Sequence, residues 1–418
     1  MIFRLALRSL ANRWATATLT ALAIAVSVTL FLGVEKVRNG ARASFANTIS
    51  GTDLIVGARS GPVNLLLYSV FRIGNATNNI WWTTVQDIAA RPEIEWLVPL
   101  SLGDSHFGFR IVGTTPAYFE YYRYRRDRAL EFRDGAPFAD LFEAVVGADV
   151  AAAFGYDVGD RIVIAHGLGN TSFALHDDRP FTIAGILRKT GTPVDRSVHV
   201  GLEAITAIHV DWQAGARIPG LTTPAERLRQ MDLTPKDVTA VLIGLKSRLT
   251  AFRVQRAINE FAAEPLTAVL PGVALQELWG LIGTAESALA IVSALTVVTA
   301  LLGMAAMLLA TLGERRREMA ILRSVGAGPR TILGLLTAEA LILTSAGALV
   351  GIVLLYIGLA AARPWVDSRF GLYIPLEPPH PREMLALIGV IGAGVVAAML
   401  PAVRAYRLSL ADGMMVRT

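Results

Sequence analysis

The chain has 418 residues, 53% of them apolar and only 17% charged, with a mean hydropathy of +0.48. Soluble domains average about 25% charged residues, so the composition excludes both an ordinary soluble enzyme and a disordered chain. There is no cysteine, which rules out disulfides, thiol nucleophiles and cysteine-ligated zinc or iron–sulfur centres.

The apolar residues are gathered into four runs. Each is long enough to cross a bilayer, which takes about 20 apolar residues at 1.5 Å rise apiece. Residues 1–34 comprise an interfacial segment, Ile2–Leu10 with Arg4 and Arg8, and a first span, the uncharged Trp14–Val34. The basic start and Ala41-Arg42-Ala43 imitate a secretory signal. A signal's apolar core is only about 7–15 residues, so an uncleaved signal anchor is expected. Residues 35–284 contain no such run. The second span falls in 285–313 (Ser287–Leu312), the third in 331–362 (Ile332–Ala362, interrupted by Glu339) and the fourth in 384–401 (Met384–Leu400). Between them lie a short loop, 314–330, and an outer loop, 363–383; a tail, 402–418, follows.

Charge orients these spans. Arg4, Arg8 and Arg13 precede the first. Arg315, Arg316, Arg317, Arg323 and Arg330 sit between the second and third, and Arg404, Arg407 and Arg417 follow the fourth. Short arginine-rich segments stay in the cytoplasm. The expectation is a multi-pass protein of the bacterial inner (cytoplasmic) membrane with both termini cytoplasmic and 35–284 extracytoplasmic. The net charge of +5 restates that bias, and no nucleic acid partner is expected.

The block 35–284 reads as mixed α/β. Thr52–Gly57, Phe107–Gly113, Ala144–Val146, Arg161–Ala165, Phe181–Leu187 and Val238–Leu245 are strand candidates, and Val85–Ala90 and Leu249–Ala263 are helical. Short strands and many turn residues at about 150–230 suggest an inserted β-rich lobe. Val63–Ile73 is strongly apolar and Trp81-Trp82 follows. It is either a core helix or an element at the outer membrane interface, with Leu66, Tyr68, Phe71, Trp81 and Trp82 contacting lipid or cargo. The aromatic–basic run Tyr121–Arg133 is expected to be a solvated surface or a contact with a partner protein.

No catalytic site is legible: G-x-x-x-x-G-K-[ST], G-x-S-x-G, H-E-x-x-H and G-x-G-x-x-G are all absent from the sequence. Five of the six histidines, His106, His166, His176, His199 and His209, lie in the block without helical spacing between any two. Scattered histidines are expected, with no metal and no cofactor in this chain, unless folding assembles a site in space.

The loop carries the most information. It reads Gly313-Glu314-Arg315-Arg316-Arg317-Glu318-Met319-Ala320-Ile321-Leu322-Arg323-Ser324-Val325-Gly326-Ala327. Met319, Leu322 and Val325 recur every third residue, so a short amphipathic helix is expected, stopped by Gly326, Gly328 and Pro329. Such a helix lies on the membrane or fits a groove on another protein.

This string, with Glu339 and Pro401-Ala402-Val403-Arg404-Ala405, resembles the MacB/FtsX-type ABC-transporter permease family, the membrane subunits of type VII ABC transporters. The layout matches too. The resemblance implies a polytopic α-helical membrane protein with four transmembrane helices. It also implies a large extracytoplasmic α/β domain, a porter-like part plus a β-rich lobe, between helices 1 and 2. The loop would be a coupling helix docking on a separate cytoplasmic ABC ATPase subunit, which would carry the ATP and Mg. The chain itself would not be an enzyme. Glu314, Arg315, Arg316, Arg317, Glu318, Met319, Leu322, Arg323, Val325 and Gly326 would make that contact, the arginines and glutamates as rim ion pairs. Glu339, an ionisable residue at the edge of a span, is expected at the membrane interface. Gly347 and Gly351 would allow close helix packing. Further implied partners are a second permease copy or paralogue, a periplasmic adaptor or lipoprotein, and membrane lipid. The implied function is mechanotransmission for efflux or for extraction of hydrophobic or lipid-linked cargo. The alternative is an ATP-independent, membrane-anchored binding or sensory protein.

Overall fold

The computed structural model describes residues 2–125, 127–167, 176–213, 216–218, 223–314, 316–370 and 376–407. In chain order the helices that matter are α1 (Ile2–Asn12), α2 (Trp14–Thr48), α3 (Pro62–Ser69), α4 (Trp82–Ala89), α5 (Leu202–His209), α6 (Ala251–Asn259), α7 (Pro271–Glu314), α8 (Arg316–Ser324), α9 (Pro329–Phe370) and α10 (Pro381–Arg407). The chain divides into two compact units, one holding Ala41–Ile282 and the other the flanking helices.

The Ala41–Ile282 unit is built on one ten-stranded sheet. Its strands are β1 (Leu54–Ala58), β2 (Ile94–His106), β3 (Phe109–Thr114), β4 (Phe132–Gly135), β5 (Glu143–Val146), β6 (Arg161–Ile162), β7 (Phe181–Leu187), β8 (Ser197–Gly201), β9 (Ala240–Leu245) and β10 (Leu266–Val269). They lie in the order β10-β1-β9-β2-β3-β8-β5-β7-β4, with β6 on β7. Strands β1 and β9 are buried at every residue, as expected for strands covered on both faces. Alternation assigns their side chains. Ile55, Ala240 and Leu242 enter a cluster with Leu65, Leu66 and Tyr68 of α3. Leu54, Val56, Val241 and Ile243 enter another with Val85 and Ile88 of α4 and Val254 and Ile258 of α6.

The 13-residue β2 joins the two halves of the sheet. Its first half pairs with β9 and its second half with β3. Beyond it, β8 runs parallel to β3 and antiparallel to β5. The β-rich stretch at 150–230 therefore does not stand alone. Its strands β6, β7 and β8 share the sheet with β3, β4 and β5, because β8 and β7 pair directly with strands from residues 109–146.

Four helices of the other unit, α2, α7, α9 and α10, are long and apolar enough to span a membrane. Ile24, Ala25, Val28, Met304, Leu308, Leu343 and Ala398 are buried, whereas Leu19, Leu295, Leu302, Leu349 and Ile388 are exposed. Helices apolar on every side suit lipid. A Cβ at Gly351 would lie 2.7 Å from the Ala25 carbonyl oxygen, and one at Gly347 would lie 2.8 Å from Ile24 Cβ. The two glycines thus seat α9 directly on α2. Thr29 Oγ1 donates to the Gly351 carbonyl at 2.9 Å, and Ser27 Oγ donates to Thr296 on α7 at 3.2 Å.

Candidate functional site

Helix α8 ends in a Schellman turn. Ala327 N–H donates to Leu322 O at 2.9 Å and Gly326 N–H to Arg323 O at 3.0 Å, with Gly326 at φ +99°. Glycine takes that left-handed position without the Cβ penalty. Pro329 then opens α9, where its missing N–H costs nothing. Side chains spaced three residues apart drift about 60° per step around an α-helix. Met319, Leu322 and Val325 therefore sweep around α8 instead of forming one face. Met319 is buried with Leu312, Ile332, Leu336, Ala402 and Ala405. Leu322 is half-buried against Ala6, Leu335 and Ala338. Val325 is 83% exposed and Ile321 56%. Arg323 Nη2 donates to the Ala405 carbonyl on α10 at 3.5 Å. Met319, Leu322 and Arg323 thus anchor α8 to its own bundle, while Ile321 on the helix and Val325, one residue past its end, are exposed apolar side chains. Arg315 lies outside the described residues. Of Glu314, Arg316, Arg317 and Glu318 only the backbone is described.

Glu339 is fully buried and faces Arg13 at 3.7 Å. Arg13 stands at the junction of α1 and α2 and also donates to Ser9 Oγ at 3.0 Å. The glutamate is therefore level with the start of the first span, enclosed by protein. A second pair, Lys36 with Glu383 at 3.2 Å, is also buried. Lys36 Nζ further donates to the Glu377 carbonyl at 3.1 Å. From residue 14 to residue 35 the helix rises about 33 Å, close to the roughly 30 Å of a hydrocarbon core. The two ion pairs bracket one membrane thickness.

The interface reading of Val63–Ile73 is corrected. Leu66, Tyr68 and Phe71 are buried, at 0%, 2% and 6% exposure. Helix α3 lays Leu66 and Tyr68 against β1 and β9, and Phe71, just past its end, joins the same cluster, so all three are core and unavailable to lipid or cargo. Trp82 is half-buried beside the α4 and α6 residues, and of the five only Trp81 is exposed. In the aromatic–basic run, Tyr122 and Tyr124 are buried, Tyr122 donating to the Thr48 carbonyl at 2.5 Å, and Tyr121 stacks on Trp96.

The fold also assembles a cluster that the spacing of the histidines hid. Asp104 near the end of β2, His166 after β6, His176 before β7 and His209 at the end of α5 place one donor atom each within 4.8 Å of one another. His166 Nδ1 lies 3.0 Å from His209 Nε2 and 3.2 Å from Asp104 Oδ1, and His209 Nε2 lies 3.9 Å from the same oxygen. His209 Nδ1 is 2.8 Å from the Ile205 carbonyl and donates to it. That bond leaves the Nε2 lone pair facing the cluster. His176 is fully buried, and neither ring nitrogen has a hydrogen-bond partner among the described residues. Burial, helped by His209, brings its pKa down to about 4, while the Asp104 carboxylate raises that of His166. Trp212 packs on the rings of His176 and His166, with centroids 4.6 and 5.4 Å away. Arg179 braces the turn by donating to the Ala207 carbonyl at 2.6 Å and to Asp211. The other block histidines lie apart. His106 bonds Val163 O and Tyr156 Oη, and His199 is enclosed by Tyr118 and Phe119.

Residues 17–261 match the family model of the MacB-like periplasmic core domain, and residues 290–410 match that of the FtsX-like permease C-terminal region. The chain is 24% identical over 426 residues to the macrolide export ATP-binding/permease protein MacB of Azoarcus sp. (strain BH72), a match covering 97% of this chain and 58% of that protein. It is 31% identical over 121 residues to the protein of the same description from Nitrobacter winogradskyi, covering 29% of this chain and 18% of that one. The chain thus spans 58% or less of the length of these relatives. The crystal structure of the periplasmic region of MacB from Actinobacillus actinomycetemcomitans aligns with 55% of this chain and 94% of its own, at 9% identity and a TM-score of 0.34.

Proposed function

The chain belongs to the MacB/FtsX-type family of ABC-transporter permeases, multi-pass proteins of the inner membrane, and from that premise we propose that it couples a separate cytoplasmic ABC ATPase to motion of its α/β domain. The observation that carries this reading is α8. It is a capped helix between two spans, pinned by Met319 and Arg323 and turning Ile321 and Val325 outward. ATP binding and hydrolysis in the partner would push on α8, and the bundle would pass that displacement along α2 and α7. In this arrangement α8 and both termini face the cytoplasm, two permeases pair with two ATPase subunits, and ATP and Mg bind only the partner. The work done is efflux or extraction of hydrophobic or lipid-linked cargo, with a periplasmic adaptor or lipoprotein as a further partner. Of the five residues expected to meet such cargo or lipid, Trp81 is the one the fold leaves exposed.

The test is co-purification with an ABC ATPase from mild detergent, followed by ATP hydrolysis in nanodiscs with and without the permease. A stable complex whose hydrolysis depends on the permease is the expected result. A folded, membrane-inserted chain that binds no ATPase would overturn it in favour of an ATP-independent binding or sensory protein.

A further inference from the structure

We propose that Asp104, His166, His176 and His209 form a binding site for a divalent transition metal, zinc by its donor set, in the β-rich half of the α/β domain. Zinc bonds imidazole nitrogen and carboxylate oxygen at about 2.0–2.2 Å. A tetrahedral zinc therefore spaces its donors roughly 3.4 Å apart. The separations of 3.0, 3.2 and 3.9 Å among His166, His209 and Asp104 bracket that value. Three imidazoles and one carboxylate suit zinc, whereas calcium and magnesium take all-oxygen shells.

Three further observations favour a metal over a network of hydrogen-bonded histidines. His176 is buried with both nitrogens unpartnered among the described residues, an unfavourable state unless something satisfies it. His209 is oriented through Nδ1 by a backbone carbonyl, the usual outer-shell device for presenting Nε2 to a metal. Arg179 holds Ala207 and Asp211, on either side of His209, and so fixes the ligand-bearing turn. Four protein donors complete a tetrahedron, which marks a structural rather than a catalytic zinc. Its effect is to tie the end of β2, the segment after β6 and the end of α5, which are distant in sequence. The inference does not depend on ATPase coupling.

The full chain in detergent is stripped with a chelator, then titrated with Zn2+ against a chromophoric competitor and separately with Co2+. One Zn2+ per chain and the intense visible bands of tetrahedral Co2+ are expected. His166→Gln and Asp104→Asn should each weaken Zn2+ binding by more than the about 10–100-fold typical of outer-shell changes, while His380→Gln, at an exposed histidine outside the domain, should not. His166 is 41% exposed, so its variant keeps the fold. Equal thermal midpoints for metal-free wild type and His166→Gln, with a Zn2+-induced rise only in wild type, would separate metal loss from misfolding. Wild-type binding no tighter than that of His166→Gln, or unaltered binding in both ligand variants, overturns the proposal.

Discussion

Alanine at Gly351 or Gly347 adds one methyl where α9 lies on α2. At Gly351 the new carbon would sit 2.7 Å from the Ala25 carbonyl oxygen and 3.0 Å from Val28 Cβ. At Gly347 it would sit 2.8 Å from Ile24 Cβ and 2.9 Å from the Ala21 carbonyl oxygen. Non-bonded carbons are best placed at about 3.5–4.0 Å, and opening a gap of about 0.5–1 Å forfeits a quarter to a half of each contact. Ile24, Ala25 and Val28 are almost completely buried, so they have no room to retreat unless the helices part. Parting also stretches the 2.9 Å bond from Thr29 Oγ1 to the Gly351 carbonyl. Overpacking of this kind costs about 1–3 kcal/mol. Gly358, on the same helix, has nothing within 4 Å of a built Cβ. Alanine there collects only the helix-propensity gain of about 1 kcal/mol. Gly351→Ala should therefore be about 1–3 kcal/mol less stable than Gly358→Ala. Unfolding in mixed micelles with increasing SDS, followed by circular dichroism, reads that gap. If Gly347→Ala and Gly351→Ala unfold together with Gly358→Ala, the close approach of α2 and α9 is wrong.

The two sides of α8 should answer differently to serine. Met319→Ser should cost roughly 2–5 kcal/mol of bundle stability, seen as a lower SDS midpoint. Ile321→Ser with Val325→Ser should leave that midpoint alone and weaken ATPase binding by about 100-fold, taking roughly 1.5 kcal/mol for each side chain buried on docking; an unchanged affinity would remove α8 as the contact. His199 supplies a pH test. Burial lowers its pKa from 6.5 to about 3. Its contribution to stability is therefore full above pH 6.5 and falls as acid forces a proton onto it, by about 1.4 kcal/mol per pH unit. Asp195, pushed up to about 6 by burial, works in the opposite direction, losing stability as pH rises through that value. Subtracting His199→Leu from wild type isolates residue 199. The difference in unfolding free energy should shift by about 2 kcal/mol between pH 6.5 and pH 4.5, and a flat difference would show that the folded protein protonates His199 freely.

The membrane helices were legible because a bilayer writes its demand locally, about 20 apolar residues to cross it. The α/β domain is specified by pairings far apart in the chain, such as Leu54 with Ile243 and Ile55 with Val269. Strands read from local pattern therefore come without their order, and β2, β4, β8 and β10 are missed altogether. The same limit concealed the histidine cluster. His166, His176 and His209 share no helical spacing, and they meet Asp104 only because β2, the turns around β6 and β7, and the end of α5 converge. Val63–Ile73 stays open in sequence for a related reason. An apolar run has the same composition whether it faces lipid or a sheet, and only β1 and β9 beneath α3 decide the matter.

Periodicity misleads most where an amphipathic helix touches its own protein on one side and a partner on the other. On α8 the apolar residues nearest the expected seam, Met319 and Leu322, are the ones the bundle has already taken. Val325, about 120° around the helix from Met319, is exposed. Hydrophobicity alone assigns all three to one role. Burial divides them into an anchor held by the bundle and an exposed tip. The proposed coupling needs both, a tip to receive the partner's push and an anchor to pass it into the bundle. An α8 that spent every apolar side chain on its partner would swing on its connections to α7 and α9 and deliver little of the partner's motion to the bundle.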